Sequence, residues 1–228
     1  MSSAPANDVS YPGIREKTLV VNEIFFSLQG ETSRSGLPTT FIRLTGCPLR
    51  CNYCDTQYAF HSGKKLSIHE IMDRVSANRS RHITVTGGEP LAQQSCLHLL
   101  HHLCNEGYEV SLETSGAMDI SEVDKRVVKI IDIKTPGSGE SEKNRFQNLD
   151  SLSHSDEVKF VICSGEDYEW SKKLLFEKKL HERCEILFSP SHDEMDVTQL
   201  ADWILRDQLP VRLQIQLHKY LWGDVAGK

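Results

Sequence analysis

The chain has 228 residues, a net charge of −6 at pH 7, 39% hydrophobic residues and 25% charged residues. A chain of this length buries about 70 to 75% of its unfolded surface in one core, so we expect a single domain over residues 1–228. The acidic balance argues against a protein that binds nucleic acid through its phosphates, because that mode of binding needs a basic face.

The N-terminal segment, MSSAPANDVSYPGIREKT, is polar, and we expect residues 1–17 to be flexible. It lacks a basic start followed by an apolar core, and no stretch of the chain approaches the roughly 18 apolar residues that cross a bilayer. We therefore expect a cytoplasmic protein with no membrane partner. In that reducing compartment, seven cysteines with one tight cluster indicate metal binding or catalysis rather than disulfides.

Apolar, β-branched runs alternate with helical patterns along the rest of the chain. The predicted strands are residues 19–29, 40–46, 82–88, 109–116, 127–134, 157–162, 185–190 and 211–218. The predicted helices are residues 67–78, 91–107, 166–180 and 196–207. This alternation predicts an α/β fold, with a parallel sheet that forms a partial TIM-like barrel and helices on its outside. The polar segment 137–157 follows a strand end, so we expect a loop that borders the functional rim, with at most one short helix.

A cluster of cysteines follows the second predicted strand, in the stretch GCPLRCNYCDT that contains Cys47, Cys51 and Cys54. Soft thiolates at this spacing suit zinc or an iron–sulfur cluster. Zinc would need a fourth ligand, which His61 could supply. A four-iron cluster held by three cysteines instead leaves one iron open to bind the amino and carboxylate groups of S-adenosylmethionine. The cysteine spacing by itself leaves both sites open.

A second motif, TGGEP, ends the next strand of the predicted sheet at residues 86–90. Its two glycines let the backbone approach a ligand closely, although a strand that ends in Gly-Gly is often only a tight turn. Together with the C-x3-C-x2-C spacing, the motif resembles the radical S-adenosylmethionine superfamily. In that superfamily the cysteine loop holds a 4Fe-4S cluster and the GGE-type loop contacts the methionine moiety, so the resemblance favours the cluster over zinc.

Further motifs extend the resemblance over nearly the whole chain: FFSLQGE, CDT, LETSG, DIKTP, DEVKFVI and LQIQLHKYLWG. They are similar to those of the 7-carboxy-7-deazaguanine synthase family, lyases of queuosine biosynthesis. The resemblance implies conversion of 6-carboxy-5,6,7,8-tetrahydropterin to 7-carboxy-7-deazaguanine with loss of ammonia, using the cluster, S-adenosylmethionine and Mg²⁺. It also implies an electron donor such as a flavodoxin or ferredoxin, and a homodimer.

The resemblance places a group of polar and small residues at the pterin substrate: Leu28, Gln29, Gly30, Glu31, Arg43, Thr86 and His218. A glutamate accepts hydrogen bonds from ring N–H and amino groups, and a glutamine offers both a donor and an acceptor. Arg43 interrupts an apolar strand, and its planar fork suits the substrate carboxylate, although a surface salt bridge is an alternative. The alternative for His218 is a polar residue that caps the last strand.

The resemblance also implies cofactor contacts around the cysteine loop. Thr56 matches the family's magnesium ligand, because one hydroxyl with waters and substrate oxygens can suffice for this ion, and a turn threonine is the alternative. The residues expected at S-adenosylmethionine are Tyr53, Cys54, Asp55, Gly87, Gly88, Glu89, Glu113, Ser115 and Lys134. We expect the other cysteines to be buried small hydrophobes: Cys96, Cys104, Cys163 and Cys184.

Two other functions remain open at the level of sequence. One is a radical S-adenosylmethionine activating enzyme that acts on a glycyl-radical protein, which would have no need of the SLQGE and LHKY motifs. The other is a non-enzymatic zinc-binding interaction module.

Overall fold

The computed structural model describes residues 17–192, 194–223, 225 and 227. Apart from Lys17, the segment predicted to be flexible lies outside the described residues. The strands are β1 (Thr18–Leu28), β2 (Pro38–Leu44), β3 (Lys64–Ser67), β4 (His82–Gly87), β5 (Glu109–Thr114), β6 (Val128–Ile133), β7 (Glu157–Ile162), β8 (Glu185–Pro190) and β9 (Arg212–Leu213). The helices are α1 (Ile68–Ser76), α2 (Ser95–Asn105), α3 (Gly165–Glu177), α4 (Val197–Arg206) and α5 (Leu217–Trp222).

The strands form one nine-stranded sheet in the order β3-β1-β2-β4-β5-β6-β7-β8-β9. From β2 to β9 every neighbouring pair is parallel. The first strand, β1, is antiparallel to both β2 and β3. The connection over residues 29–37 reverses the chain and returns it beside β1 as β2. The α/β prediction is therefore confirmed, with an antiparallel addition at one edge. The parallel arrangement brings the carboxyl ends of seven strands to the same rim of the sheet.

The core lies between the sheet and the helices. On β2 and β4, Ile42, Leu44, Ile83 and Val85 are fully buried, and each such side chain contributes about 1.5 to 3 kcal/mol of hydrophobic free energy relative to exposure. The first helix, α1, begins with a capping box between Ser67 and Glu70 and turns an apolar face inward. This packing fixes the strand ends from which the loops of the rim extend.

The structure differs from the sequence prediction in three segments. The predicted strand 211–218 is wrong for most of its length: only Arg212–Leu213 pairs with the sheet, and α5 begins at Leu217. The amide of Leu217 donates to the carbonyl of Gly30 at 2.9 Å, so this contact outweighs the alternating pattern of VRLQIQLH. The short strand β3 was not predicted. The segment 137–157 contains more than the single short helix expected, because 3-10 turns occupy Pro136–Ser138, Ser141–Lys143 and Phe146–Ser151.

Candidate active site

The loops at the carboxyl ends of the parallel strands surround one cavity of about 700 Å³. Nearly all residues predicted at the cofactors or the substrate line this cavity: Leu28, Gln29, Gly30, Glu31, Arg43, Cys47, Cys51, Tyr53, Cys54, Asp55, Thr56, Thr86, Gly87, Gly88, Glu113, Ser115, Lys134 and His218. The exception is Glu89, which lies behind the cavity wall. The exposed His61, which could have completed a zinc site, does not line the cavity with the cysteines.

The three cysteines of the loop after β2 are partly exposed free thiols. Burial raises the pKa of Cys51 to about 11, with the positive charge of Lys134 acting in the opposite direction. Burial also raises the pKa of Cys47. An iron–sulfur cluster would supply the positive charge that favours thiolates, so the three thiols at one cavity wall fit a cluster chemically. Within the described ranges, no group of three or more His, Cys, Asp or Glu residues is arranged to hold a single metal ion.

The glycines of TGGEP allow the loop after β4 to pack directly against the cysteine loop. A Cβ at Gly87, where φ is +144°, would lie 2.5 Å from the backbone nitrogen of Leu44. A Cβ at Gly88 would lie 2.9 Å from the Cβ of Cys47. The amide of Glu89 donates to the carbonyl of Gly46 at 2.8 Å, which joins the two loops. Glycine is therefore required by close backbone approach at both positions.

The carboxylate of Glu89 is completely buried. It accepts hydrogen bonds from the backbone N–H of Leu91 at 2.9 Å, from the hydroxyl of Thr114 at 2.9 Å and from the backbone N–H of Ser115 at 2.7 Å. The hydroxyl of Ser115 also donates to it at 2.5 Å. The Glu89 side chain thus connects the loops after β4 and β5 from behind, whereas Gly87, Gly88 and Ser115 face the cavity.

Elsewhere in the cavity lining, Glu31 is the centre of a mostly buried polar group. Lys159 donates to its Oε2 at 2.7 Å, and the side-chain amide of Gln216 donates to its Oε1 at 2.9 Å. Burial would raise the pKa of Glu31, but the charge and hydrogen bond of Lys159, helped by Gln216 and by His218 when its ring is protonated, lower it to about 2. Glu31 is therefore an ionised acceptor at neutral pH.

Glu113 lies beside residues predicted at the substrate rather than deep in the glycine loop. It accepts a hydrogen bond from the hydroxyl of Thr86 at 2.8 Å and another from the side-chain amide of Gln29 at 3.3 Å. Burial, reinforced by the negative charge of Glu31, raises the pKa of Glu113. Two carboxyl groups of one cavity thus have pKa values displaced in opposite directions.

Comparisons with known proteins agree with this geometry. A family model described as the Radical SAM superfamily matches residues 41–134. The 7-carboxy-7-deazaguanine synthase of Chlorobaculum tepidum is 45% identical over 92% of this chain and 97% of its own length. That of Koribacter versatilis is 41% identical over 89% of this chain and 96% of its own length.

The chain belongs to the 7-carboxy-7-deazaguanine synthase family.

A solved structure, QueE from Escherichia coli, matches with a TM-score of 0.74 and 24% identity, covering 90% of this chain and 97% of that chain. This likeness confirms the partial-barrel fold. Membership of a radical S-adenosylmethionine family implies a 4Fe-4S cluster and S-adenosylmethionine, and the cysteine and glycine loops are the parts of this 7-carboxy-7-deazaguanine synthase family member that fit them.

In this member of the 7-carboxy-7-deazaguanine synthase family, Arg43 is buried at the cavity with 15% of its side chain exposed. Its Nε donates to Glu23 at 2.7 Å, and its guanidinium lies 5.6 Å from the ring centre of Phe25 and 5.8 Å from that of Tyr58. Arg43 therefore does form a salt bridge, which was the predicted alternative, but both partners are mostly buried rather than at the surface. Among the described residues, only Glu23 hydrogen-bonds to this guanidinium, which leaves its terminal nitrogens for another acceptor.

His218 lies in the first turn of α5 rather than at the end of a strand, so the predicted alternative of a strand cap is wrong. Its ring packs on Gly30 so closely that a Cβ at that position would come within 2.9 Å of the His218 Cγ. Burial lowers the pKa of His218, with the charges of Glu31 and Asp55 acting against it. The imidazole is therefore neutral at physiological pH.

The remaining predicted cofactor residues also line the cavity. Thr56 Oγ1 is 3.8 Å from the sulfur of Cys54. Lys134 pairs with Asp132 at 3.1 Å, and its ammonium lies 5.7 Å from the ring centre of Tyr53.

Asp55 accepts a hydrogen bond from the side-chain amide of Gln216 at 3.3 Å, and it lies 3.7 Å from the ammonium of Lys219. The chain segment around α5 is thereby joined to the cysteine loop.

Several cavity residues were not predicted from the sequence, notably Tyr58, Asp132, Lys159 and Gln216. A signal existed for two of them. Asp132 and Lys159 are charged residues inside apolar strands, the same feature that singled out Arg43. Gln216 and Tyr58 carry no comparable signal, because isolated polar and aromatic residues are common in loops.

The four cysteines predicted to be buried do not all behave alike. Cys96, Cys104 and Cys184 are buried, as predicted. The prediction is wrong for Cys163, which is partly exposed because it follows β7 at the rim of the barrel.

Proposed function

We propose that this chain is a radical S-adenosylmethionine lyase that converts 6-carboxy-5,6,7,8-tetrahydropterin to 7-carboxy-7-deazaguanine with release of ammonia, in queuosine biosynthesis. The observation that carries the proposal is the cavity itself. Its lining combines the cysteine and glycine loops with Glu31 and Arg43, an acceptor for ring N–H groups and a fork for a carboxylate. The names of the relatives, together with the length over which they match, support the same reaction.

In this proposal Cys47, Cys51 and Cys54 hold the cluster, and the backbone of Gly87 and Gly88 contacts the methionine part of S-adenosylmethionine. When bound, the two cofactors supply the radical chemistry that abstracts a hydrogen atom from the substrate. The protein's own contribution is to orient the substrate and to exclude water from the reacting atoms. The buried polar group around Glu31 and the aromatic packing around Arg43 hold these side chains in fixed positions for orienting the substrate.

The substrate side of the cavity binds the pterin through complementary hydrogen bonds. Glu31, ionised in the folded protein, accepts from the ring N–H and amino groups. The side-chain amide of Gln29 donates to Thr84 and Glu113, and its oxygen, which accepts from the Glu31 N–H, keeps a second acceptor site for the ring. Arg43, fixed at Nε by Glu23, presents its other nitrogens to the substrate carboxylate. The neutral imidazole of His218 supports the loop at Gly30.

Several finer assignments also belong to the proposal. Thr56 would hold a Mg²⁺ ion, because its hydroxyl lies next to the cysteine loop and, among the described residues, has only a distant contact, to Cys54. The electron donor is a flavodoxin or ferredoxin, and the active form is a homodimer. One domain spans residues 1–228. Among the described residues, no helix is long and apolar enough to cross a bilayer, and the cytoplasmic location stays a prediction.

The test is anaerobic reconstitution with iron and sulfide, followed by incubation with the tetrahydropterin, S-adenosylmethionine, Mg²⁺ and a reductant. We expect a product with the mass of 7-carboxy-7-deazaguanine, and ammonia in equal amount. Omission of S-adenosylmethionine is the control. Cleavage of S-adenosylmethionine with no deazapurine product would contradict the proposed substrate and would favour the alternative, activation of a glycyl-radical protein.

A further inference from the structure

We propose that Lys159 is a positioning residue that holds Glu31 ionised and oriented for binding the pterin ring, a role that rests on the proposed function. Lys159 lies on β7, and Glu31 lies in the connection that follows β1. The two residues are 128 positions apart in the chain, and Lys159 Nζ donates to Glu31 Oε2 at 2.7 Å. Both side chains line the cavity and are mostly buried, with 14% and 15% exposed.

The contact fixes the direction of the Glu31 carboxylate. Its Oε2 is held by Lys159, and its Oε1 is held by Gln216. Each carboxylate oxygen has two acceptor sites, so both oxygens can still accept hydrogen bonds from a ligand in the cavity. A carboxylate restrained at both oxygens loses little rotamer freedom on binding, which favours affinity.

Lys159 also balances the negative charge of this wall. Its ammonium lies 3.4 Å from Asp132, and the wall contains a third carboxyl group, Glu113. Lys134 forms an ion pair with the other carboxylate oxygen of Asp132, at 3.1 Å. Among the described residues, Lys159 is therefore the cation in direct contact with Glu31. Burial would lower the pKa of Lys159, but the charges of Glu31, Asp132 and Glu113 raise it well above the usual value, so the ammonium stays charged.

Loss of this ammonium should change the protonation of Glu31. Burial acts to raise the pKa of Glu31, and Lys159 supplies the largest opposing effect. Without Lys159, burial and the neighbouring Glu113 would raise the pKa of Glu31, opposed by Gln216 and by His218 when its ring is protonated. A protonated carboxyl group loses acceptor capacity and presents an O–H to the N–H groups of the ring. Substrate affinity would then increase with pH, whereas in the natural protein Glu31 stays ionised down to a pH of about 2.

The chain contains a matched control for the loss of a buried lysine. Lys129 on the neighbouring strand β6 is 7% exposed and pairs with Asp156 at 3.0 Å. It does not line the cavity. Lys129→Met and Lys159→Met each strand a carboxylate in the interior, so both should lower thermal stability. Of the two variants, only Lys159→Met removes a cation that lines the cavity.

The experiment compares the reconstituted natural protein with Lys159→Met, Lys159→Arg and Lys129→Met. Turnover of the tetrahydropterin gives KM and kcat from pH 5.5 to 8.5, and cleavage of S-adenosylmethionine without substrate reports the cofactor side. Thermal unfolding reports folding of each variant. Calorimetric titration with 7-carboxy-7-deazaguanine in two buffers of different ionisation enthalpy gives affinity and the number of protons exchanged on binding.

For Lys159→Met we expect KM to rise at least tenfold at pH 6.5 with a smaller change in kcat, and to improve as the pH rises. We also expect release of protons on product binding that the natural protein does not show. Lys159→Arg should restore most of the affinity, and Lys129→Met should keep the natural KM and pH profile. Cleavage of S-adenosylmethionine without substrate should persist in all variants.

Two results would separate failure of this inference from failure of the proposed function. If the natural protein makes the deazapurine and folded Lys159→Met has the same KM and the same pH profile as the natural protein, the role of Lys159 is wrong and the function stands. If the natural protein neither turns over the tetrahydropterin nor binds the product, the proposed function is wrong and this inference is overturned with it.

Discussion

Gly88 lies against Cys47 so closely that a Cβ added at the glycine would be 2.9 Å from the Cβ of the cysteine. The same added atom would lie 2.6 Å from the carbonyl carbon of Gly46. Both contacts are shorter than ordinary van der Waals distances, and one of them is to backbone. The glycine loop and the cysteine loop are therefore one packed unit.

Gly88→Ala should force these two loops apart. We expect reduced iron incorporation and at least tenfold weaker binding of S-adenosylmethionine, because the backbone that faces the cofactor must shift. Iron analysis and equilibrium binding measure the effect. Gly165→Ala is the control, because its added Cβ would lie 3.5 Å from Trp203 in ordinary contact. Natural cofactor binding in Gly88→Ala would show that the close approach is not required.

Replacement of one cluster cysteine should abolish iron binding. In Cys51→Ala we expect loss of the visible absorption of the cluster and of all turnover, because two remaining thiolates cannot hold the four-iron cube. Cys184→Ala is the control: its thiol is buried away from the cavity, so only stability should fall, by about 1 kcal/mol or slightly more for a small cavity. A fully active Cys51→Ala enzyme would exclude the radical mechanism.

Thr56→Ala should weaken the dependence on magnesium more than the binding of S-adenosylmethionine. Among the residues that the structure describes, the hydroxyl has one distant contact, to the sulfur of Cys54 at 3.8 Å, so its removal should change stability by less than about 0.5 kcal/mol. Turnover after chelation, titrated with Mg²⁺, gives the apparent metal affinity. Thr56→Ser keeps the hydroxyl and should restore it. If chelation never affects the natural enzyme, Thr56 has no such role.

Arg43→Lys should impair substrate binding although the charge is kept. Removal of the charged partner of a buried carboxylate costs about 2 to 5 kcal/mol. Lysine keeps the charge but lacks the planar fork, so it should recover only part of that loss. We expect kcat/KM for the tetrahydropterin to fall. Cleavage of S-adenosylmethionine in the absence of substrate should be unchanged.

Glu23→Gln tests whether the orientation of Arg43 matters. The amide oxygen can still accept from Nε but carries no charge, so we expect a smaller loss of kcat/KM than for Arg43→Lys. Unchanged pterin kinetics in both variants would place the substrate carboxylate elsewhere.

Glu89→Gln should destabilise the folded protein. The natural carboxylate is fully buried and accepts from Leu91, Thr114 and Ser115. In the glutamine side chain an NH2 group replaces one of the carboxylate oxygens, so the N–H or O–H groups that donated to that oxygen lose their acceptor. Each unpaired buried group costs about 1 to 3 kcal/mol. Urea unfolding of the iron-free protein measures the loss, and Glu106→Gln on the exposed end of α2 is the control. Equal stability of the two variants would contradict the buried role of Glu89.

The sequence alone determined the cysteine loop and its neighbour. Cys47, Cys51 and Cys54 lie within eight consecutive residues after one strand, so their meeting is a local property of the chain. The parallel alternation then predicted that the TGGEP loop would reach the same rim, because the carboxyl ends of parallel strands lie together. These inferences needed no knowledge of which strands are neighbours beyond their order.

Only the tertiary structure decided which residues surround Glu31 and what course the C-terminal segment takes. Lys159 meets Glu31 across 128 residues, and Gln216 meets it across 185 residues, so each pair depends on the register and curvature of the whole sheet. The alternation in VRLQIQLH fits a strand, but the bond between Leu217 and Gly30 turns the chain over the cavity. Local pattern specifies which residues are able to pair, and the long-range packing that selects the partners has no signature within a short stretch of sequence.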